Sequence, residues 1–341
     1  MRRTPARLAG TVLAAAALVL TGCSGGGGDA SGGSGDGGTV NVVASTDVYG
    51  SILSSVGGDK VEVTALIDRP SQDPHSYEAT ARDRLAVSKA DLVVLNGGGY
   101  DSFMEKLAAD EGVPEDDILN AVEISGLEGS EEEDHSEEGH SEEGHSEEDH
   151  AEEDHADAGH SHEGHSHGSF NEHVWYSPEA MGLLAEAAAE RLAELDPDAA
   201  ETFRSNAADF NAGIEDLNAA LAAMRPVADG RDVALTEPVP DYLVEEAGLH
   251  NATPSDFTEA VEEGADVPPQ VLKEMQDLVT GGSIVFLGYN EQTSTPQTEA
   301  VREAALAEGV PVLDFSETLP EGQDYLQWMA ANTEAIEGVL Q

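Results

Sequence analysis

The order of short β-branched runs and helix-forming stretches restricts this chain to a narrow set of folds. "TVNVVAS", "KVEVTALI" and "DLVVLN" are apolar runs bounded by Gly, Asp and Pro, and "DVYGSILSSVGG" and "ATARDRLAVSKA" separate them. Strands alternating with helices in this way predict βαβ units and a parallel sheet. The pattern returns late in the chain. There "RDVALT", "GGSIVFLGY" and "VPVLDF" read as strands, and "VPDYLVEEAGL" and "TPQTEAVREAALAEG" as helices. Between the two halves, residues 177–226 are rich in Ala, Leu and Glu and carry no strand signal. Ser177-Pro178 and Asp196-Pro197 each read as a helix cap followed by a proline in the first turn. The second helix is expected to run to Arg225, about 29 residues and ~43 Å at the α-helical rise. The expected fold class is α/β: two lobes, each on a parallel sheet, joined by a long helix.

The N-terminus has to be set aside before the fold is considered. Arg2, Arg3 and Arg7 precede an apolar run from Leu8 to Leu20. That run is short for a bilayer span and fits a secretory signal. It ends in Leu20-Thr21-Gly22-Cys23, which resembles a bacterial lipobox and implies cleavage before Cys23 and lipidation of it. The chain would then be anchored on the extracytoplasmic face of the cell membrane. Cys23 is the only cysteine, so no intrachain disulfide can form. A Gly/Ser tether follows. The expected organisation is a signal peptide over 1–22 and a lipidated Cys with its tether over 23–38. A first lobe over 39–196, a linking helix over 197–226 and a second lobe over 227–341 then follow.

The chain carries 69 Asp and Glu against 15 Lys and Arg, a formal charge of −54. Such a surface repels nucleic acid, which is excluded as a partner, and attracts cations. The densest part is residues 131–168, where nine of the chain's 12 histidines stand among acidic residues, Ser and Gly. They are His135, His140, His145, His150, His155, His160, His162, His165 and His167. This composition predicts a disordered loop within the first lobe. A five-residue spacing would turn each His about 140° from the last on a helix, so no shared face forms. A loose, exchangeable chelator follows, because neutral imidazoles bind borderline metals.

Sharper candidates lie outside the repeat. His75 follows the strand ending near Ile67, and His173 stands in "NEHVWYSP" just before the Pro178 helix. Glu237 follows the strand ending near Thr236, and Asn290, Glu291 and Gln292 follow the strand ending near Tyr289. Ligands of open α/β sheets bind at the carboxyl ends of strands, where three of these four clusters lie. Two imidazoles, a carboxylate and one more oxygen form a donor set for zinc or manganese. "NGGGY" (96–100) reads as a tight turn, since no Lys-Ser/Thr follows to make it a phosphate loop. Trp175 and Trp328 read as packing residues, and His250 as a surface residue.

"STDVYGSILSSVGGDKVEVTALI", "DPHSYEATARDRLAVSKADLVVLNGGGYDSFMEKL", "NEHVWYSP", "LGYNEQTSTPQTEAV" and "SETLPEGQDYLQWM" occur in order along the chain. These segments resemble the zinc- and manganese-binding solute-binding lipoproteins of bacterial ABC importers. Zinc members of that family commonly carry a His-rich insert just before the third segment, as here. The resemblance implies two Rossmann-like lobes, a rigid linking helix, a transported Zn2+ in the cleft, and the importer's permease and ATPase as partners. It places ligands on His75, His173 and Glu237. Many zinc members have a histidine at the third position and manganese members a glutamate, so Mn2+ is the alternative cargo. The fourth position, Asp in many members, meets no Asp here; Gln292 ranks ahead of Asn290, and a water is a further option. The chain is expected to act as a monomer and not as an enzyme. Two other readings compete with import. One is a metallohydrolase with Glu172 as base, for which no HExxH is present. The other is a surface metal buffer or adhesin in which the repeat does the binding.

Overall fold

The computed structural model describes residues 39–69, Gln72, Pro74, 77–130 and 170–341. Cys23, His75 and all nine histidines of the 131–168 repeat lie outside the described residues. The first half runs β1 (Val40–Thr46), α1 (Asp47–Gly57), β2 (Val61–Ile67), α2 (Ala81–Val87), β3 (Leu92–Leu95), α3 (Ser102–Glu111), β4 (Ile118–Asn120) and α4 (Ala121–Ser125). Helices α5 (Pro178–Leu195) and α6 (Ala200–Ala228) follow. The second half runs β5 (Asp232–Leu235), α7 (Asp241–Glu246), β6 (His250–Asn251), α8 (Ser255–Glu262), α9 (Pro269–Thr280), β7 (Ile284–Tyr289), α10 (Pro296–Glu308), β8 (Val312–Asp314) and α11 (Tyr325–Leu340).

All strand pairs are parallel, and the two sheets share one topology, β2-β1-β3-β4 and β6-β5-β7-β8. The α/β expectation, with two lobes on parallel sheets, is met. Both faces of the central strands are covered, as the period-two alternation shows. Val42 and Ala44 of β1 face one core, while Val43 faces another; Leu92 and Val94 of β3 divide from Val93 and Leu95 in the same way. In the second lobe Val233 and Leu235 divide from Ala234. Strands buried on both faces are what a parallel sheet requires, because its crossover helices cover both sides. β4 and β6 escape a sequence reading because three and two residues show no period.

Helix α5 starts as expected: the Ser177 hydroxyl accepts from Ala180 N, with Pro178 in the first turn. The linking helix begins later than expected. Pro197–Ala199 form a separate 3-10 turn without a side-chain cap, and α6 runs over Ala200–Ala228 with Pro226 inside its last turn. Proline within the final turn removes one internal N–H, a loss tolerated where the helix is about to end. Its buried residues are Phe203, Ala207, Phe210, Ile214, Leu217, Leu221, Met224 and Ala228, alternately four and three apart along one stripe. That stripe packs against α1 and α5 beside the first sheet and against α7 and α11 of the later chain. A Cβ on Gly213 would stand 2.6 Å from the Leu326 side-chain tip of α11, which would have to shift to admit a larger residue. One apolar core therefore continues from Val42 and Leu53 through α6 to Leu235 and Ile336.

Candidate metal centre

The turn after β3 sets the floor of the site. Gly97, Gly98 and Gly99 all have positive φ, and a Cβ on Gly97 would lie 2.2 Å from Asn120. The buried Asp101 carboxylate accepts from Asn96 N at 2.7 Å and from Gly97 N at 2.9 Å. Burial raises its pKa above the usual carboxylate range, against the pull of these hydrogen bonds. The turn anchors the segment carrying His173, since Asn96 Nδ2 donates to Glu172 O at 3.0 Å. Asn96 Oδ1 in turn accepts from the Tyr49 hydroxyl of α1. "NGGGY" is thus the tight turn read from the sequence, and it doubles as a brace.

His173 is 1% exposed and packs edge-on against Tyr100 and Trp175. Its Nδ1 lies 2.7 Å from Asn171 Oδ1. The orientation of that amide is fixed, because Asn171 Nδ2 donates to Pro238 O at 3.0 Å and a carbonyl can only accept. Nδ1 therefore carries the proton and donates, and a metal bound by this ring is bound through Nε2. Pro238 follows β5, so the brace of His173 is held by the second lobe. Tyr242 of α7 adds to it by donating its hydroxyl to Asn171 O at 2.7 Å.

Glu237, two residues after β5, is 4% exposed. Its Oε2 accepts from Asn290 Nδ2 at 2.7 Å and from Thr293 Oγ1 at 2.6 Å. Asn290 Nδ2 also donates to Glu317 Oε1 at 2.8 Å, so one amide spans two buried carboxylates. Glu317 Oε2 accepts from the Tyr100 hydroxyl at 3.0 Å, a link between the lobes. Gln292 stands behind this layer: its Oε1 accepts from Glu317 N at 2.7 Å, and its own N donates to Asn290 Oδ1 at 2.9 Å. In this arrangement Asn290 orients both carboxylates, and Gln292 braces Asn290 and the Glu317 backbone. Glu291, between them, is exposed.

Among the described residues, one set of three metal-ligating side chains is drawn together. Glu172, His173 and Glu262 each offer one ligand atom, all within 4.8 Å of one another. Glu262 is the last residue of α8. Burial first, then the charges of Glu172, Glu237 and Glu317, push its pKa up to about 8. Glu172, Glu237 and Glu317 thus act together on Glu262 as like charges. The arrangement is a buried, anionic pocket with an oriented imidazole, suited to a divalent cation.

Residues 42–339 match the family described as zinc-uptake complex component A, periplasmic (ZnuA). The chain belongs to this family. Among curated relatives, the manganese-binding lipoprotein MntA of Halalkalibacterium halodurans is 24% identical over 206 residues, 60% of this chain and 55% of that protein. The zinc-binding lipoprotein AdcA of Streptococcus pneumoniae is 26% identical over 305 residues, 88% of this chain and 55% of that protein. The chain spans about half the length of the curated relatives it matches. A crystal structure of ZnuA shares the fold, with a TM-score of 0.65 at 22% identity over 89% of this chain and all of that one.

Against this ZnuA-family frame, the structure brings His173 and Glu237 into one buried region and places Asn290 and Gln292 beside it. Glu317, Glu172 and Glu262 were not singled out as ligands in the sequence. For Glu317 a signal existed, since it stands three residues after β8, at the carboxyl end of a strand. For Glu262, at the end of a short helix, none did. Trp175 and Trp328 are buried packing residues and His250 is exposed beside Asp232, as read from the sequence.

Proposed function

We propose that this ZnuA-family protein is the metal-capturing subunit of an ABC importer, taking up a divalent ion between its lobes and passing it to the permease and its ATPase. The observation that carries the reading is the oriented His173 imidazole, buried among glutamates from both lobes. The ligands are His173, Glu237 and Glu317 with His75, Asn290 holds the two carboxylates, and Gln292 braces the Glu317 backbone. Zinc is the preferred cargo, on the strength of the imidazole-rich repeat and of family membership. Manganese is the alternative, favoured by carboxylates and by the manganese-binding relative. The reading as a binding protein rather than an enzyme rests on the family, whose members are metal-uptake components. The protein acts as a monomer.

The 131–168 repeat is a collector in this scheme, and the cleft holds the transported ion. Deleting residues 131–168 is expected to remove several weak equivalents of zinc and keep one tight equivalent, read by native mass spectrometry with metal analysis. Loss of the tight equivalent on deletion would move the function into the repeat and favour the surface buffer or adhesin. Competition between zinc and manganese on the deleted protein identifies the cargo.

Lipidation of Cys23 would hold the body at the membrane's outer face. Several curated relatives are lipoproteins, and among the described residues no helix is long and apolar enough to cross a membrane. Stable anchoring needs more than one acyl chain. Cys23→Ala is expected to shift the protein to the soluble fraction or to block its processing. Full membrane retention of a correctly cleaved variant would contradict the anchor.

A further inference from the structure

We infer that Glu262 is a further metal ligand, closing together with Glu172 on the ion that His173 binds. The inference rests on the reading of this cleft as a metal site. Three observations lead to it. The ligand atoms of Glu172, His173 and Glu262 already lie within 4.8 Å of one another, a spacing that a single cation can bridge. The charged groups acting on Glu262 are all carboxylates, namely Glu172, Glu237, Glu317 and Glu259. Glu262 is also the final residue of α8, where the negative end of the helix dipole disfavours an anion. Like charges and a helix C-terminus make this a poor place for a carboxylate without a cation, and a good one with it.

The three residues come from opposite sides of the cleft. Glu172 and His173 precede α5, and Glu262 comes from the α8 segment between β6 and β7. A metal held by all three would tie α8 to the first lobe. With Glu237 and Glu317 nearby, the donor set becomes rich in oxygen and can exceed four ligands. Zinc is satisfied by four, whereas manganese favours six mostly oxygen donors. Glu262 therefore determines specificity: its carboxylate matters more for manganese than for zinc.

The test is Glu262→Gln in the full chain, with Glu263→Gln as a control at the exposed neighbouring position. Affinities for zinc and manganese are read by competition against a chelator strong enough to empty isolated imidazoles. The visible spectrum of the Co2+-loaded protein reports the coordination sphere. Glu262→Gln is expected to weaken manganese at least tenfold, zinc by less, and to shift the Co2+ bands, while Glu263→Gln changes nothing. An unaltered Co2+ spectrum in Glu262→Gln overturns the inference, even if affinity falls, because charge alone then explains the fall. A shifted spectrum with an equal or larger loss for zinc overturns the specificity role. Failure of the unsubstituted chain to bind one tight equivalent is a separate result, and it would sink the metal-site reading itself.

Discussion

Replacing His173 with Ala is expected to abolish the tight equivalent of zinc. A metal bound by this ring is bound through Nε2, because Nδ1 donates to Asn171. Among the described residues no second imidazole stands beside it; the neighbouring donors are carboxylates and amides. Removing a residue that only orients a ligand costs ~10–100-fold in affinity, and removing the ligand costs more. Asn171→Ala should fall in that lower range, because the imidazole survives but loses both its tautomer and its tie to Pro238. Calorimetry of the two variants, with thermal melting to check the fold, separates the roles. Equal losses in both would mean that Asn171 holds the segment and not merely the ring. Undiminished binding in His173→Ala would remove it from the site.

The metal-free protein should become less stable as pH rises from about 5 to about 8, contrary to the common pattern for carboxylate-rich proteins. Burial and neighbouring carboxylates push Glu262 up to about 8, and burial pushes Asp47 and Asp241 up to about 6. A carboxyl whose pKa is higher folded than unfolded keeps its proton in the folded state after the unfolded chain has released it. The folded state then binds more protons, so stability falls with pH between the unfolded and folded values and levels off above the latter. Each unit of displacement is worth about 1.4 kcal/mol, so Glu262, the group raised furthest, contributes the largest share of the fall. Chelator-treated protein should melt at a higher temperature at pH 5.5 than at pH 8. Zinc should reverse the order, since it replaces the protons in the pocket and binds weakly in acid. A melting temperature of the metal-free protein that stays flat or rises across this range would contradict the clustering of carboxylates.

What could be read without coordinates was everything encoded over a few neighbouring residues. Strands β1, β2, β3, β5, β7 and β8 announce themselves as β-branched runs, and their alternation with helices implies parallel sheets. Ser177-Pro178 marks the start of α5 because cap and proline act within a single turn. His173 and Glu237 could be singled out as candidates because they stand at a helix start and a strand end, which are local landmarks. At Asp196-Pro197 the cap motif is present, but the chain makes a 3-10 turn before α6 begins at Ala200. The partners in the site are another matter. Tyr100 meets Glu317 across 217 residues, and Asn290 meets Glu237 across 53. Nothing in the pattern around Glu262 distinguishes it from Glu259 or Glu263, which also lie on or next to α8. Its role follows from where α8 lies against the segment before α5, and that is set by packing of the whole chain. Local periodicity decides which residues form elements and which face is buried. Only the tertiary structure decides which buried carboxylates share one pocket, because that depends on distances between loops whose sequences do not refer to one another.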